Sequence, residues 1–329
     1  MSKTTYYARR LVVSVLLVFV VATFLFFIFR MMPGDYATMM AQQGAGPEEM
    51  EALREQWGLN EPLHVQYFRY LANLLTGEAG TSRATNQPVV SYILPYLANS
   101  LILIIPAIII SFLLGSLYGG LLGIKSGTKL ERYGIFPPTI VGTTPDFFIG
   151  MVVIFVFATQ LGLLPTGGIA SAETYQLTDS NWEIYATADF WLHYIAPFLA
   201  IVLKYLYYPA LVMRGSVVEV SGQEFQRYKK LAGLDPFMRF RSLLKHASLP
   251  VITLLPPVTA TAISGLVLIE IVFNWPGIGK LVFDSVLERD TPVIQFVFLL
   301  IAIWIIFGNL VVDVLYTVID PRISYGSEE

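Results

Sequence analysis

Six long apolar runs constrain the fold of this chain more than any other feature of its sequence. The first of them, from Leu11 to Phe29, is uninterrupted and directly follows Arg9 and Arg10. A helix needs about 20 apolar residues to cross the hydrocarbon core of a bilayer, and every run is that long. The first run is too long for the apolar part of a signal peptide, so we expect it to be retained. The sequence predicts an all-α membrane protein with six transmembrane helices, at residues 11–32, 96–123, 135–161, 192–213, 249–273 and 293–319.

The scarcity of charged residues supports the membrane assignment. Hydrophobic residues make up 55% of the 329 residues and charged residues only 14%, whereas soluble domains average about 25% charged residues. If the N-terminus lies inside, fourteen of the 21 Lys and Arg residues fall in cytoplasmic segments and five in outer segments. Short cytoplasmic loops carry this excess in membrane proteins, so we expect both termini in the cytoplasm.

Several kinds of catalytic and metal site are not expected. The chain has no cysteine and only three histidines, His64, His193 and His246, which lie far apart in the sequence. No pair of them has metal-ligand spacing, and neither the H-E-x-x-H nor the G-x-S-x-G pattern occurs. An intramembrane enzyme is therefore a weak alternative. A secondary transporter or channel is a stronger one, although the two halves show no convincing internal repeat of the kind common in secondary transporters.

The polar segment at residues 33–95 is long for a connection between two spans. Within it, Pro47–Asn60 is typical of a short helix that Gly58 ends, with acidic residues in the first turn, where the helix dipole favours them. In the second span Gly115, Gly119 and Gly123 recur every four residues, which predicts a face for close helix packing.

The segment at residues 214–248 is the most informative loop. Phe225, Tyr228 and Leu231 recur at helical spacing, and Gly233 is expected to end that helix. Asp235 is predicted to cap a second helix that begins at Pro236. In the second helix Phe237, Phe240 and Leu244 are predicted to point inward, and Arg239, Arg241 and Lys245 outward. This basic, amphipathic helix pair either lies against anionic lipid or docks a soluble partner.

Two charged residues fall near the middle of predicted spans. Asp146 lies in the third span and Lys204 in the fourth, at similar depth. A lone charge at the bilayer centre costs at least about 2.5–3.5 kcal/mol, so each side chain should face a partner or a cavity. An ion pair between them and a place on a transport pathway are about equally supported. Glu270 and Asp313 are weaker candidates, because each lies near a span end where a charge can reach interfacial water.

Several motifs resemble those of one transporter family. The segments EFQRYKKLAGL (Glu224–Leu234) and KHASLPV (Lys245–Val251) resemble the loop with which permeases of binding-protein-dependent ABC importers contact their ATPases. The usual small and basic residues before Gly233 are replaced here by Lys229, Leu231 and Ala232. Similar family signatures follow the chain in order: RMMPGD (30–35), EQWGLNEP (55–62), LGLLPTGG (161–168), EIVFNWPGIG (270–279) and NLVVDVLYTVIDPR (309–322). Together they resemble the first permease subunit of the dipeptide and oligopeptide branch.

This resemblance implies a type I ABC importer permease in a prokaryotic cell membrane. The implied partners are a second related permease, two ATPase subunits that carry ATP and Mg, an extracellular binding protein, a peptide and membrane lipid, with no nucleic acid. The chain itself lacks a phosphate-binding loop, since Leu281 follows Gly279-Lys280 where such a loop has Ser or Thr. We therefore expect no enzymatic activity on this chain. The motifs do not distinguish peptides from nickel complexes or glutathione, which related systems carry.

The predicted spans and loops also divide the chain into parts with separate expected roles. Residues 1–32 would form the N-terminus and first span, 33–95 an extracellular domain, 96–319 the permease core and 320–329 a cytoplasmic tail. The extracellular domain would contact the binding protein or cover the channel mouth. Within the loop at residues 214–248, Gly233 would present an apolar knob to an ATPase groove. The knob comprises Tyr228, Leu231, Ala232 and Leu234, flanked by Arg227, Lys230 and Arg239.

Overall fold

The computed structural model describes residues 3–31 and 46–319, apart from residues 57, 59 and 179, and these residues are almost entirely helical. The helices are α1 (Lys3–Met31), α2 (Pro47–Gln56), α3 (Leu63–Thr76), α4 (Val89–Ile124), α5 (Lys129–Gly134), α6 (Phe136–Thr143), α7 (Asp146–Val153), a π-helix (Ile154–Gln160), α8 (Ala172–Leu177), α9 (Asn181–Tyr185), α10 (Ala188–Tyr205), α11 (Tyr207–Ser221), α12 (Glu224–Leu231), α13 (Pro236–Ala247), α14 (Leu249–Ile252), α15 (Leu255–Val272), α16 (Ile278–Leu287) and α17 (Thr291–Ile319). The tail at residues 320–329 lies outside the described residues.

Within the described residues, five helical stretches are long and apolar enough to cross a bilayer. The predicted number of six spans is reached if a bent pair of segments forms one further span. The second span begins at Val89 rather than at residue 96, because the helix continues through Pro95. The fourth span continues to Ser221, so Arg214 lies inside α11 rather than in a loop. There the Arg214 guanidinium pairs with the Glu131 carboxylate of α5.

The third span is broken rather than continuous. The segments Lys129–Thr143 and Asp146–Gln160 meet at an angle of 106°. Pro145 lies at the break, where its ring favours extended backbone in the preceding residue, and Thr144 has a ψ of 143°. Asp146 is therefore the first residue of the second segment, and it lies near the middle of the third span as predicted, but directly beside the break.

The chain divides into two compact units, residues 1–98 with 280–329, and residues 99–279. In the first unit α1 packs lengthwise against α17. Its core contains Ala22, Leu25 and Leu299. Helix α3, which sequence analysis did not predict, lies against the end of α1, where the Tyr67 ring stacks on Phe27 at 5.6 Å. The Tyr67 hydroxyl also forms a hydrogen bond with Thr23 of α1.

The segment that follows α3 is fixed in the first unit by one buried carboxylate. Asp290, which is 1% exposed, accepts hydrogen bonds from the Ser82 hydroxyl and from the backbone N–H groups of Arg83 and Ala84. An antiparallel bridge joins Thr81 to Pro88 beside it. The hydrogen bonds to Asp290 and this bridge hold residues 81–88 of the predicted outer domain in the first unit. Residues 33–45 lie outside the described residues.

The second unit has a continuous apolar core in which α7 packs against α10 and α15. Helix α4 approaches α11 through the predicted glycine face. A Cβ atom at Gly115 would lie 2.5 Å from the Leu206 carbonyl, and one at Gly119 would clash with the carbonyl of Ala210. The prediction of a close packing face is therefore confirmed, because only a residue without a side chain fits at these positions.

Candidate functional site

The break in the third span leaves backbone carbonyls without helical partners, and Lys204 provides two of the missing donors. Its ammonium donates hydrogen bonds to the carbonyl oxygens of Gly142, at 2.8 Å, and Thr144, at 2.6 Å. The last turn of any helix leaves its carbonyls unpaired, and inside a membrane such groups must find another donor. Lys204 is 8% exposed, so it faces protein rather than lipid.

Asp146 has different partners on the other side of the break. The Tyr205 hydroxyl donates to Asp146 Oδ1 at 3.2 Å and lies 3.3 Å from the Thr261 carbonyl. A Cβ atom at Gly265 would lie 2.8 Å from the Asp146 carboxyl carbon, so α15 approaches this carboxylate closely. At the first position of α7 the carboxylate also lies where the helix dipole favours a negative charge.

Lys204 and Asp146 are near each other but do not form an ion pair. No contact within ion-pair distance joins them among the described residues. The interpretation of a structural ion pair is therefore wrong, because the carbonyls at the break engage the ammonium. Both side chains nevertheless face protein groups, as the cost of a lone charge in lipid requires. Together with Tyr205 they form a polar cluster at the break.

Glu270 occupies a position that sequence analysis predicted incorrectly. It was expected to reach interfacial water, yet it is fully buried. The Ser100 hydroxyl donates to its Oε1, and the N–H of Ile278 donates to the Ser100 oxygen at 2.7 Å. A Cβ atom at Gly277 would clash with this carboxylate. Glu270 therefore holds the turn at residues 274–279. The side chain of Asp313 lies outside the described residues.

The helix pair α12–α13 has the predicted turn chemistry. Gly233 has φ of +72°, a left-handed conformation that glycine adopts at little cost. The N–H of Leu234 donates to the Lys229 carbonyl, which closes the end of α12. Asp235 then caps α13, since its carboxylate accepts from the N–H groups of Phe237, at 2.9 Å, and Met238, at 3.3 Å.

Side-chain contacts hold the two helices together and attach them to the second unit. The Lys229 ammonium donates to the Ser242 hydroxyl and lies 4.8 Å from the Phe225 ring centroid. On the inner side of α13, Leu244 and Phe240 cover Gly120 of α4. These two inward-pointing side chains are as predicted.

An apolar surface remains exposed at the turn between α12 and α13. We call it the turn surface; its members are Tyr228, Leu231, Leu234, Phe237 and Met238. Phe237 is 72% exposed, so the prediction that it points inward is wrong. Its place immediately after the Asp235 cap directs it away from α4. The turn surface therefore contains two residues that the predicted knob lacked.

The other predicted members of the knob are placed around this surface. Ala232 and Gly233 are exposed at the turn itself, and Arg227 is exposed on α12. Arg239 is half-buried rather than pointing fully outward. The side chain of Lys230 lies outside the described residues. A turn with exposed aromatic and aliphatic groups beside arginines has the composition of a specific protein interface.

Two family matches together cover almost the whole chain. Residues 115–325 match the binding-protein-dependent transport system inner membrane component, and residues 3–112 match the N-terminal region of the same kind of membrane component. The chain belongs to this permease family. It is a multi-pass inner membrane protein, and the family comprises transport components rather than known enzymes.

Similar permeases are described from several bacteria. The chain is 36% identical to a probable peptide ABC transporter permease of Sinorhizobium fredii over 97% of its length and 99% of that protein. It is 31% identical to an oligopeptide transport system permease of Bacillus subtilis over the same shares. It is also 33% identical to a glutathione transport system permease of Salmonella paratyphi A, again over 97% and 99%. These permeases of ABC transport systems confirm the family resemblance and the fold class inferred from the motifs.

Proposed function

We propose that this permease forms half of a translocation pathway for di- and oligopeptides delivered by an extracellular binding protein. A second related permease would form the other half. Two ATPase subunits would bind ATP and Mg and carry out the hydrolysis that this chain does not perform. The names of similar permeases support this substrate class, because two refer to peptides and the third to glutathione, itself a tripeptide.

The observation that carries the proposal is the exposed turn surface. A helix that lies on lipid buries one continuous apolar face along its length. Here the inner face of α13 is already covered by α4, and the exposed apolar groups are concentrated at the turn. Such a compact projection, with Phe237 and Leu231 at its tip, fits a groove in a protein better than a flat bilayer surface.

Arginines beside the turn surface support an ATPase as the partner. Arg227 and Arg239 lie beside the apolar groups and would pair with acidic residues around the groove. Polar groups at the rim of an interface fix its register, while the apolar centre contributes most of the affinity. This arrangement requires the turn surface, and both termini, to lie in the cytoplasm, as the distribution of Lys and Arg predicts.

The polar cluster at the break is the proposed contact with the peptide in the pathway. Lys204 already donates to two carbonyls, so Asp146 is the better candidate for a direct contact. Its carboxylate would pair with the amino terminus of a peptide. Lys204 would then act on the pathway indirectly, by fixing the bend at which Asp146 begins α7.

Reconstitution tests the proposal directly. Proteoliposomes that contain this chain, its paired permease and the ATPases, with the binding protein added, should accumulate a labelled dipeptide only when ATP is supplied. Phe237→Ser should prevent co-purification of the ATPase, whereas Leu177→Ser, at an equally exposed residue of α8, should not. Uptake driven by an ion gradient without the ATPases would instead identify a secondary transporter.

A further inference from the structure

A cavity of about 330 Å³ lies within the first unit. Its walls come from the last turn of α1, the body of α3, the segment at residues 78–83 and the first turns of α17. The charged side chains on the wall are Arg30, Arg69, Arg83 and Glu78. Arginine thus outnumbers acidic residues among the described lining residues. The Arg69 guanidinium already pairs with the Glu61 carboxylate at 2.7 Å, so the cavity is suited to an anion mainly beside Arg30. No part of the proposed transport function uses it.

The cavity lies at the level where two membrane helices end. Arg30 is in the last turn of the first span, which ends at Met31. Thr291 and Gln295 are in the first turns of the last span. A bilayer has its phosphate groups at this level, a few ångströms beyond the hydrocarbon core.

Arg30 is oriented unusually for a cation at a span end. Such side chains normally extend toward water, away from the hydrocarbon core. The Arg30 guanidinium instead lies over the ring of Phe26, one turn back along α1, at 5.6 Å from the ring centroid. It forms no ion pair with any of the described carboxylates. An anion in the cavity would stabilise a half-buried cation in this position.

Two neutral donors lie on the same wall. The Tyr70 hydroxyl and the side-chain amide nitrogen of Gln295 are adjacent and interact with each other, but neither atom has a well-aligned hydrogen bond among the described residues. Burial raises the pKa of Tyr70 to about 12. Its hydroxyl, like that of any tyrosine at neutral pH, is protonated and can donate a hydrogen bond. Buried donors normally have acceptors, which indicates a ligand with several oxygen atoms.

We propose that this cavity binds a phosphate-type oxyanion, and specifically the phosphodiester headgroup of an anionic phospholipid. Arg30 would pair with the phosphate, and Gln295 and Tyr70 would donate to its remaining oxygens. Arginine and phosphate form strong, often bidentate hydrogen bonds. The cavity exceeds the volume of a bare phosphate, so the glycerol part of a headgroup also fits.

Lipid retention by the purified full chain tests the proposal. Native mass spectrometry after exposure to equal amounts of phosphatidylglycerol and phosphatidylcholine would count the lipids retained. Arg30→Gln should reduce phosphatidylglycerol retention about tenfold, as expected when one charge-assisted hydrogen bond is lost. Arg289→Gln, at an exposed arginine that does not line the cavity, is the matched control and should have no effect. Gln295→Leu removes a donor without changing charge and should also reduce retention.

The outcomes distinguish the possible anions. If millimolar inorganic phosphate displaces phosphatidylglycerol from the wild-type chain but not from Arg30→Gln, the site accepts a soluble oxyanion as well as a lipid. Equal retention by the wild-type chain, Arg30→Gln and Gln295→Leu would overturn the proposal. The proposal would also be overturned if Arg30→Gln lost association with the binding protein but retained as much lipid as the wild-type chain. The anion that pairs with Arg30 would then be an acidic side chain of the binding protein. None of these measurements requires transport activity.

Discussion

The ammonium of Lys204 lies 2.6 Å from the carbonyl oxygen of Thr144, the residue that precedes the proline at the break in the third span. A second hydrogen bond reaches the carbonyl of Gly142. A lysine on α10 thus satisfies two backbone groups that the bend removes from the helical ladder. The Lys204 ammonium therefore binds backbone carbonyls and not the Asp146 carboxylate. Substitutions of Lys204 and of Asp146 should for this reason have different effects.

Lys204→Met should destabilise the protein. Each buried acceptor left without a donor costs about 1–3 kcal/mol, and this substitution leaves two. The melting temperature of the purified chain in detergent should fall by several degrees. Lys125→Met, at an exposed lysine just after α4, should leave it unchanged. If Lys204→Met had the wild-type melting temperature, other donors would have to bind the two carbonyls at the break.

Asp146→Asn should reduce uptake of a dipeptide without reducing the stability of the protein. Asparagine keeps an oxygen that accepts from the Tyr205 hydroxyl, so the melting temperature should change little. Loss of the negative charge should lower uptake of a dipeptide about tenfold, as expected when a charge-assisted contact is lost. Glu219→Gln, at an exposed residue of α11, is the control. Normal uptake by Asp146→Asn would exclude a contact between this carboxylate and the peptide.

Gly233→Val should weaken binding of the turn surface to the ATPase. A β-branched residue with φ near +72° is strained by about 1–2 kcal/mol or more. The turn should therefore change shape, while the membrane spans insert normally. Gly233→Asn is the matched control, because asparagine tolerates positive φ. ATPase recovery in pull-downs should fall for the valine variant only; equal recovery for both variants and the wild type would favour lipid as the partner of this turn.

The segment after α3 should depend on Asp290. Asp290→Ala removes the acceptor of three hydrogen bonds, so hydrogen exchange at residues 81–86 should accelerate strongly. Asp284→Ala, at a more exposed carboxylate of α16, should not change it. If the segment contacts the binding protein, the Asp290 variant should also lose uptake, as should replacement of residues 40–85 with a flexible linker. If both variants took up peptide normally, the segment would have no role beyond connecting the two spans.

Sequence analysis predicted the local features well and the distant partners poorly. The Gly233 turn and the Asp235 cap depend on neighbouring residues alone, and both were predicted. Pro145 and Pro197 both interrupt apolar runs, yet α10 continues through Pro197 while the third span breaks at Pro145. The break requires donors from Lys204, about sixty residues away. No local pattern reveals which proline has such a donor opposite its carbonyls.

The same limit explains the errors at other residues. The sequence places Glu270 near a span end, but its burial depends on Ser100, which lies 170 residues earlier. Phe237 fits the inward face of α13 by helical period. The Asp235 cap fixes the start of that helix so that the first turn extends beyond the surface of α4 instead. Periodicity gives the direction of a side chain but not where the neighbouring helix ends.

The close approach of α4 to α11 determines how force would travel through the second unit. At Gly115 and Gly119 the two backbones meet without a layer of side chains between them. Side chains can change rotamer and absorb a small displacement, whereas backbones in direct contact cannot. We therefore expect a displacement of the turn surface to move α11 and α4 together as a rigid body, with little of the displacement absorbed between them.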